Sequence, residues 1–234
     1  MKRASSVTLA FLLGAGAVRA QPPAVASEFY VSFTTLAAPK EARKAYERAS
    51  REAGRKTPNL VKMSQELERA LSVYPQFAAA WYFLGGTLLE RHDIDGARRA
   101  FERAVTADPR FPNPYVSLAV IELKSRHFAE AARLADSALR LDPRLTEAHY
   151  YSVLANMALH NPDRAKQSIN AILETGEDRR YLEVHAMLAE IHVAAGDRAS
   201  AAVEYRRLLE LGPSSTSSGL ARERLAEWQA QGQP

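Results

Sequence analysis

Residues 78–111 read AAAWYFLGGTLLERHDIDGARRAFERAVTADPRF, and residues 112–145 read PNPYVSLAVIELKSRHFAEAARLADSALRLDPRL. The two stretches align without a gap at a period of 34, and residues 146–179, TEAHYYSVLANMALHNPDRAKQSINAILETGEDR, align in the same register. Position 4 holds Trp81, Tyr115 and His149; position 20 holds Ala97, Ala131 and Ala165; position 24 holds Phe101, Ala135 and Ile169; position 27 holds Ala104, Ala138 and Ile172. After a two-residue slip, residues 182–215 fit as a fourth copy, with Leu188 at position 7, Gly196 at 15, Ala201 at 20, Tyr205 at 24, Leu208 at 27 and Pro213 at 32. Self-similarity at a fixed period of this length is the mark of a solenoid, whose units stack to bury a shared core. A plain helical bundle would explain the amphipathic pattern but not the constant period.

The residue types suit a unit of two amphipathic helices joined by a short turn. Trp81 and Tyr115 fill the space between the helices, small Gly85 and Ala119 allow close approach, and the alanines at position 20 sit where the helices cross. Pro75, Pro109, Pro143 and Pro213 end helices, because proline lacks the amide that an interior turn needs and restricts the residue before it. Asn161-Pro162-Asp163 and Gly196-Asp197 mark turns inside units.

The pattern resembles the tetratricopeptide repeat. Residues 78–111 carry most of its signature in Trp81, Leu84, Gly85, Ala97, Phe101, Ala104 and Pro109, and residues 112–145 keep Tyr115, Leu118, Ala119, Ala131, Ala138 and Pro143. In residues 146–179, Ala165 and the large apolar positions survive. The resemblance implies an all-α, right-handed superhelical solenoid of helix-turn-helix repeats. Residues 44–77 read as a degenerate further unit, with Ala70, Leu67 and Met63 at positions 27, 24 and 20 counted back from Pro75. Its first helix is expected over Lys40–Ala53 and its second over Leu60–Val73, separated by Gly54 and Thr57-Pro58-Asn59. Terminal units face solvent and are expected to be atypical.

The ends read differently. Residues 1–20, MKRASSVTLAFLLGAGAVRA, place Lys2 and Arg3 before an apolar run from Val7 to Val18, with Val18 and Ala20 at the small-residue positions before a cut. This is a secretory signal pattern, with a mature start near Gln21. The alternative, an uncleaved anchor, fits less well because the run is short for a membrane span. Residues 21–43 form an N-terminal extension that includes the start of the first helix. Within it residues 28–36, EFYVSFTTL, alternate as an edge strand does, or pack extended against the first helix. The stretch PKEARKAY that follows resembles the lead-in of some bacterial exported proteins of this class. Residues 216–234 hold a capping helix, Leu220–Gln229, with Leu225 and Trp228 packed onto the last unit, and a tail.

The charge balance argues against a polyanionic partner. The chain has 31 Lys and Arg against 27 Asp and Glu, and removing Lys2, Arg3 and Arg19 with the leader leaves 28 against 27. The signs are interspersed, so no nucleic acid is expected as partner. There is no cysteine, hence no disulfide framework and no thiolate metal site. Beyond the leader no run of eighteen apolar residues predicts a transmembrane span.

No catalytic constellation is legible. His185 and His192 lie seven apart near Glu190, a weak metal signal without HExxH spacing. No carboxylate pair, nucleophile motif or phosphate loop stands out. The expectation is a non-enzymatic chain without cofactor or metal. Arrays of the resembled family present the first helices of successive units on a concave face, which implies a partner-binding stripe here. Position 5 supplies Tyr82, Val116 and Tyr150, position 9 supplies Val120 and Leu154, and position 12 supplies Leu89, Leu123 and Met157. Position 2 supplies Ala79, Asn113, Glu147 and Glu183. The Lys, Arg and Asn clamp with which one subclass grips a terminal carboxylate is missing. A mostly apolar groove implies that the partner is an extended or amphipathic segment of another protein. The expected setting is the cell envelope, periplasmic or secreted, as scaffold or adaptor. A structural accessory subunit that uses its edges or terminal helices is the alternative.

Overall fold

A computed structural model describes residues 32–232. The leader-like segment 1–20, the rest of the extension up to residue 31, and residues 233–234 lie outside the described residues. Twelve α-helices and no strand occur among the described residues, and they divide into two compact units between Pro143 and Arg144.

The first unit holds α1 (Phe33–Ala37), α2 (Lys40–Ala53), α3 (Leu60–Val73), α4 (Ala78–Glu90), α5 (Ile94–Ala107), α6 (Pro112–Lys124) and α7 (Phe128–Leu141). Helices α2 and α3, α4 and α5, and α6 and α7 pack as pairs, and α3 leans on α4 as α5 leans on α6. The second unit holds α8 (Thr146–Ala158), α9 (Pro162–Thr175), α10 (Glu183–Ala194), α11 (Arg198–Leu211) and α12 (Ser218–Ala230). Within it α8 pairs with α9 and α10 with α11, α9 packs on α10, and α12 closes against α11.

The two helices of a pair bury different amounts of themselves. In α6, Pro112, Pro114, Val116 and every residue from Leu118 to Leu123 are buried, because a first helix is covered on several sides. In α5 the buried set is Gly96, Ala97, Ala100, Phe101 and Ala104, one stripe at helical spacing with a charged opposite face. The contact inside a pair is close. A Cβ built on Gly85 of α4 would stand 2.5 Å from Phe101 Cε1, so a glycine is required where the large ring of α5 crosses. In the next pair the equivalent positions hold Ala119 and, in place of the large ring, Ala135, both buried.

One turn geometry recurs in four pairs. His92, Arg126, His160 and Gly196 all occupy position 15 and have φ of 62°, 62°, 57° and 80°. The following amide reaches back five residues, Asp93 to Leu88, His127 to Glu122, Asn161 to Asn156 and Asp197 to His192, each at 2.9 Å. That is the left-handed helix stop that satisfies orphan carbonyls, and only the last copy places glycine there. The Asp93 carboxylate then accepts from the Gly96 amide at 2.8 Å and Asp197 from the Ser200 amide at 3.0 Å, starting the second helix. The pair α2–α3 departs from this plan, and a longer connection runs from Gly54 to Asn59.

The extension behaves differently from the strand reading of residues 28–36. Residues 28–31 lie outside the described residues, but Phe33–Ala37 is a turn of helix. Side-chain hydroxyls decide this: Ser32 accepts from the Thr34 amide at 3.4 Å as N-cap and donates to Asp108 Oδ2 at 2.6 Å. Thr34 Oγ1 accepts the Ala78 amide at 3.1 Å, so the segment is fastened to the start of α4 by side chains rather than by a strand ladder. At the other end Trp228 of α12 is buried against Tyr205 of α11, with ring centroids 5.9 Å apart, and Leu225 packs into the same cluster.

Candidate partner-binding surface

The eight side chains expected to face a partner separate by burial. Val116, Val120 and Leu123 of α6 are each 4% exposed and Leu154 of α8 is 2% exposed, so they add to the core and present little surface. Tyr82 and Leu89 of α4 are half-buried in the first unit, as are Tyr150 and Met157 of α8 in the second.

In the first unit the Tyr82 ring meets Phe111 edge-on at 5.1 Å and lies 5.7 Å from Phe101. Leu89 rests on the cluster that contains Leu118, Ile121 and Phe101. The neighbouring first-helix positions Ala79 and Asn113 carry no charge, so this unit offers an apolar and aromatic first-helix face.

In the second unit the corresponding face is aromatic and acidic. Tyr150 lies 4.9 Å from Tyr181 and 5.7 Å from Tyr151, measured between ring centroids. Tyr151 Oη donates to Glu147 Oε1 at 3.3 Å. Burial pushes the Tyr150 phenol well above its ordinary value, with Glu183 and Tyr181 adding to the effect. Burial raises Tyr181 to about 12, against the pull of the Arg180 guanidinium, which stands 5.4 Å over its ring. Burial also raises the Glu147 carboxyl, only partly offset by Arg180 and by the Tyr151 hydroxyl. Tyr181 is absent from the expected stripe because it falls in the two-residue slip between the third and fourth copies. Tyr151 is absent because it sits one position off the facing register.

The histidines take structural places. His185 is buried, its Nδ1 2.7 Å from Glu204 Oε2 and its Nε2 3.6 Å from Asp178 Oδ2, so carboxylates of α11 and of the α9–α10 connection hold it. His92 and His160 occupy left-handed turn positions. His127 Nδ1 lies 2.7 Å from Glu122 Oε2, and the other oxygen of that buried carboxylate is bonded by Arg98 of α5, which ties two repeats together. No group of three or more His, Asp or Glu side chains that could hold a metal ion occurs among the described residues. None of the described helices is long and apolar enough to cross a membrane.

Against known proteins, the family model described as tetratricopeptide repeat matches residues 65–111 and 116–180. No curated protein matches the chain in sequence. Among solved structures, residues 41 to the end of MamA from Desulfovibrio magneticus superpose with a TM-score of 0.64 at 17% identity, over 77% of this chain and 99% of that one. YrrB, described as a tetratricopeptide-repeat protein with an unusual peptide-binding site, gives 0.65 at 17% identity, over 78% and 92%. A tetratricopeptide repeat protein from Parabacteroides merdae gives 0.64 at 17% identity, over 81% and 72%. At these identities the likeness is one of fold.

Proposed function

We propose that this tetratricopeptide-repeat chain is a non-catalytic scaffold or adaptor that holds a segment of another protein against the first helices of its repeats. The observation that carries the reading is the pair of half-buried tyrosines at the same repeat position, Tyr82 in α4 and Tyr150 in α8, each with an apolar companion two turns on, Leu89 and Met157. A phenol offers a partner both a rigid apolar face and a hydrogen-bonding tip. The peptide-binding site named for YrrB supports the same use of the fold. Fold alone does not decide function, so the proposal rests on these side chains.

The setting belongs to the proposal too. Lys2, Arg3 and the Val7–Val18 run support export, with the chain acting in the periplasm or outside the cell. Affinity capture from an envelope fraction with the chain as bait tests the reading. A partner retained by the native chain and lost by Tyr82→Ala and Tyr150→Ala variants supports it. A partner retained equally by both variants contradicts it.

A second reading has one observation in its favour. Phe33 and Leu36 on α1 are 48% and 80% exposed, an apolar turn at the end of the first unit. Contacts through that turn would make the chain an accessory subunit joined by its end. Phe33→Ser with Leu36→Ser would then release the partner, while the tyrosine variants would not.

A further inference from the structure

We propose that the tyrosine–carboxylate cluster of the second unit takes a lysine or arginine side chain of the partner segment. The inference rests on the scaffold reading and adds the chemistry of one contact.

Four residues make the cluster: Glu147 and Tyr150 on α8, Tyr181 just before α10, and Glu183 in its first turn. The half-buried Tyr150 ring lies 4.9 Å from the buried Tyr181 ring, inclined by 34°, so that Tyr150 offers the accessible aromatic face and Tyr181 backs it. Their hydroxyls make no hydrogen bond among the described residues. Neither Glu147 nor Glu183 makes an ion pair there, although several other acids withdrawn from solvent do: Glu52 with Arg55 and Lys62, Glu122 with Arg98, Asp178 with Arg207. The nearby Arg180 is paired with Glu177 at 3.6 Å and only partly offsets the burial of Glu147, so that carboxylate stays undercompensated, and a cation supplied from outside removes the cost.

The chemistry of the four residues selects the ligand. An ammonium or guanidinium group is attracted to the face of a tyrosine ring and to a nearby carboxylate at once. Phenol oxygens can accept the remaining N–H groups. An acidic or phosphorylated segment would be repelled by Glu147 and Glu183, and a purely apolar one would leave both carboxylates buried further without a counter-charge. The first unit has no equivalent, since Ala79 and Asn113 stand where Glu147 and Glu183 stand in the second. A fitting segment therefore carries its positive charge where it meets α8 and α10.

The full chain, labelled with 13C in its tyrosine rings, is titrated with three acetylated and amidated heptapeptides in which alanine alternates with lysine, glutamine or glutamate. Saturable shifts of the Tyr150 and Tyr181 ring signals with the lysine peptide, absent with the other two, are expected. Glu147→Gln should weaken that binding by about tenfold, the loss of a partly desolvated charge contact. The same variant should not be less stable than the native chain, because its amide oxygen can still accept from the Tyr151 hydroxyl while the buried charge is removed. Equal binding of the lysine and glutamine peptides overturns the inference, as does no binding, or a Glu147→Gln variant that binds lysine undiminished. A captured protein partner that depends on Tyr82 but is indifferent to Glu147→Gln would sink this contact while leaving the scaffold reading intact.

Discussion

Trp81 Nε1 donates to the carbonyl of Pro75 at 2.8 Å, so the aromatic at position 4 of one repeat is pinned to the proline that ends the helix before it. One period later Tyr115 Oη donates to the carbonyl of Pro109 at 3.1 Å, and a different polar atom makes the same closure. The bond explains why position 4 prefers an aromatic with a donor over phenylalanine. It spans six residues and crosses the turn between repeats, so it fixes how one pair joins the next. Trp81→Phe and Tyr115→Phe keep most of the ring and delete the donor. Each should cost about 1 kcal/mol in urea unfolding, the net worth of one hydrogen bond.

The recurrent left-handed position predicts the opposite sign. His92, Arg126 and His160 bear side chains at φ near 60°, where a Cβ is strained and glycine is not. His92→Gly, Arg126→Gly and His160→Gly should each stabilise the chain by about 0.5–1 kcal/mol despite the larger conformational entropy that glycine gives up on folding. Gly196→Ala should destabilise it by a similar amount. Thermal unfolding of the four variants checks both signs together.

Gly85 and Phe101 should behave as a coupled pair. Gly85→Ala drives a methyl into the Phe101 ring and should cost about 1–3 kcal/mol. In a Phe101→Leu background the added methyl has more room, so the double variant should lose less than the sum of the two single losses. Additive losses in a double-mutant cycle would show that the ring moves aside freely.

Glu147 gives the chain a pH dependence of known sign. Burial raises its carboxyl above the unfolded value, so the neutral acid is favoured in the folded state. The contribution is fully present below the ordinary carboxylate pKa and is lost as pH rises through the raised value. Glu147→Gln stays neutral throughout. It should be more stable than the native chain at pH 7, and the difference should shrink as pH falls towards 4. Melting curves at several pH values read it directly.

The repeat was legible because its determinants are local. Alanines at position 20, prolines at position 32 and aromatics at position 4 each act within one unit and recur at the period. The second-helix stripe of α5 and the boundaries of α2 and α3 follow from the same spacing. At Phe33–Leu36 the alternation of apolar and polar residues points to an edge strand or an extended segment where the chain forms a turn of helix, because alternation cannot register Ser32 and Thr34 bonding to Asp108 and the Ala78 amide, which are distant in sequence. The partner-facing stripe was legible only by helix face. Facing register does not tell a half-buried Tyr150 from a buried Leu154, since that depends on which neighbours cover each position. Tyr181 lies outside the register altogether, and only its ring contact with Tyr150 ties it to that face.

The central claim is that a partner lies against the first helices. Site-specific photocrosslinking tests it most directly, with a benzophenone side chain placed at Leu89 or Met157 on first helices, and at Arg103 or Thr106 on the outer face of α5. Crosslinks to a common protein from Leu89 and Met157, with none from Arg103 and Thr106, are the predicted result. Crosslinks confined to Arg103 and Thr106, or from none of the four while a benzophenone at Leu36 of α1 captures the partner, would contradict it.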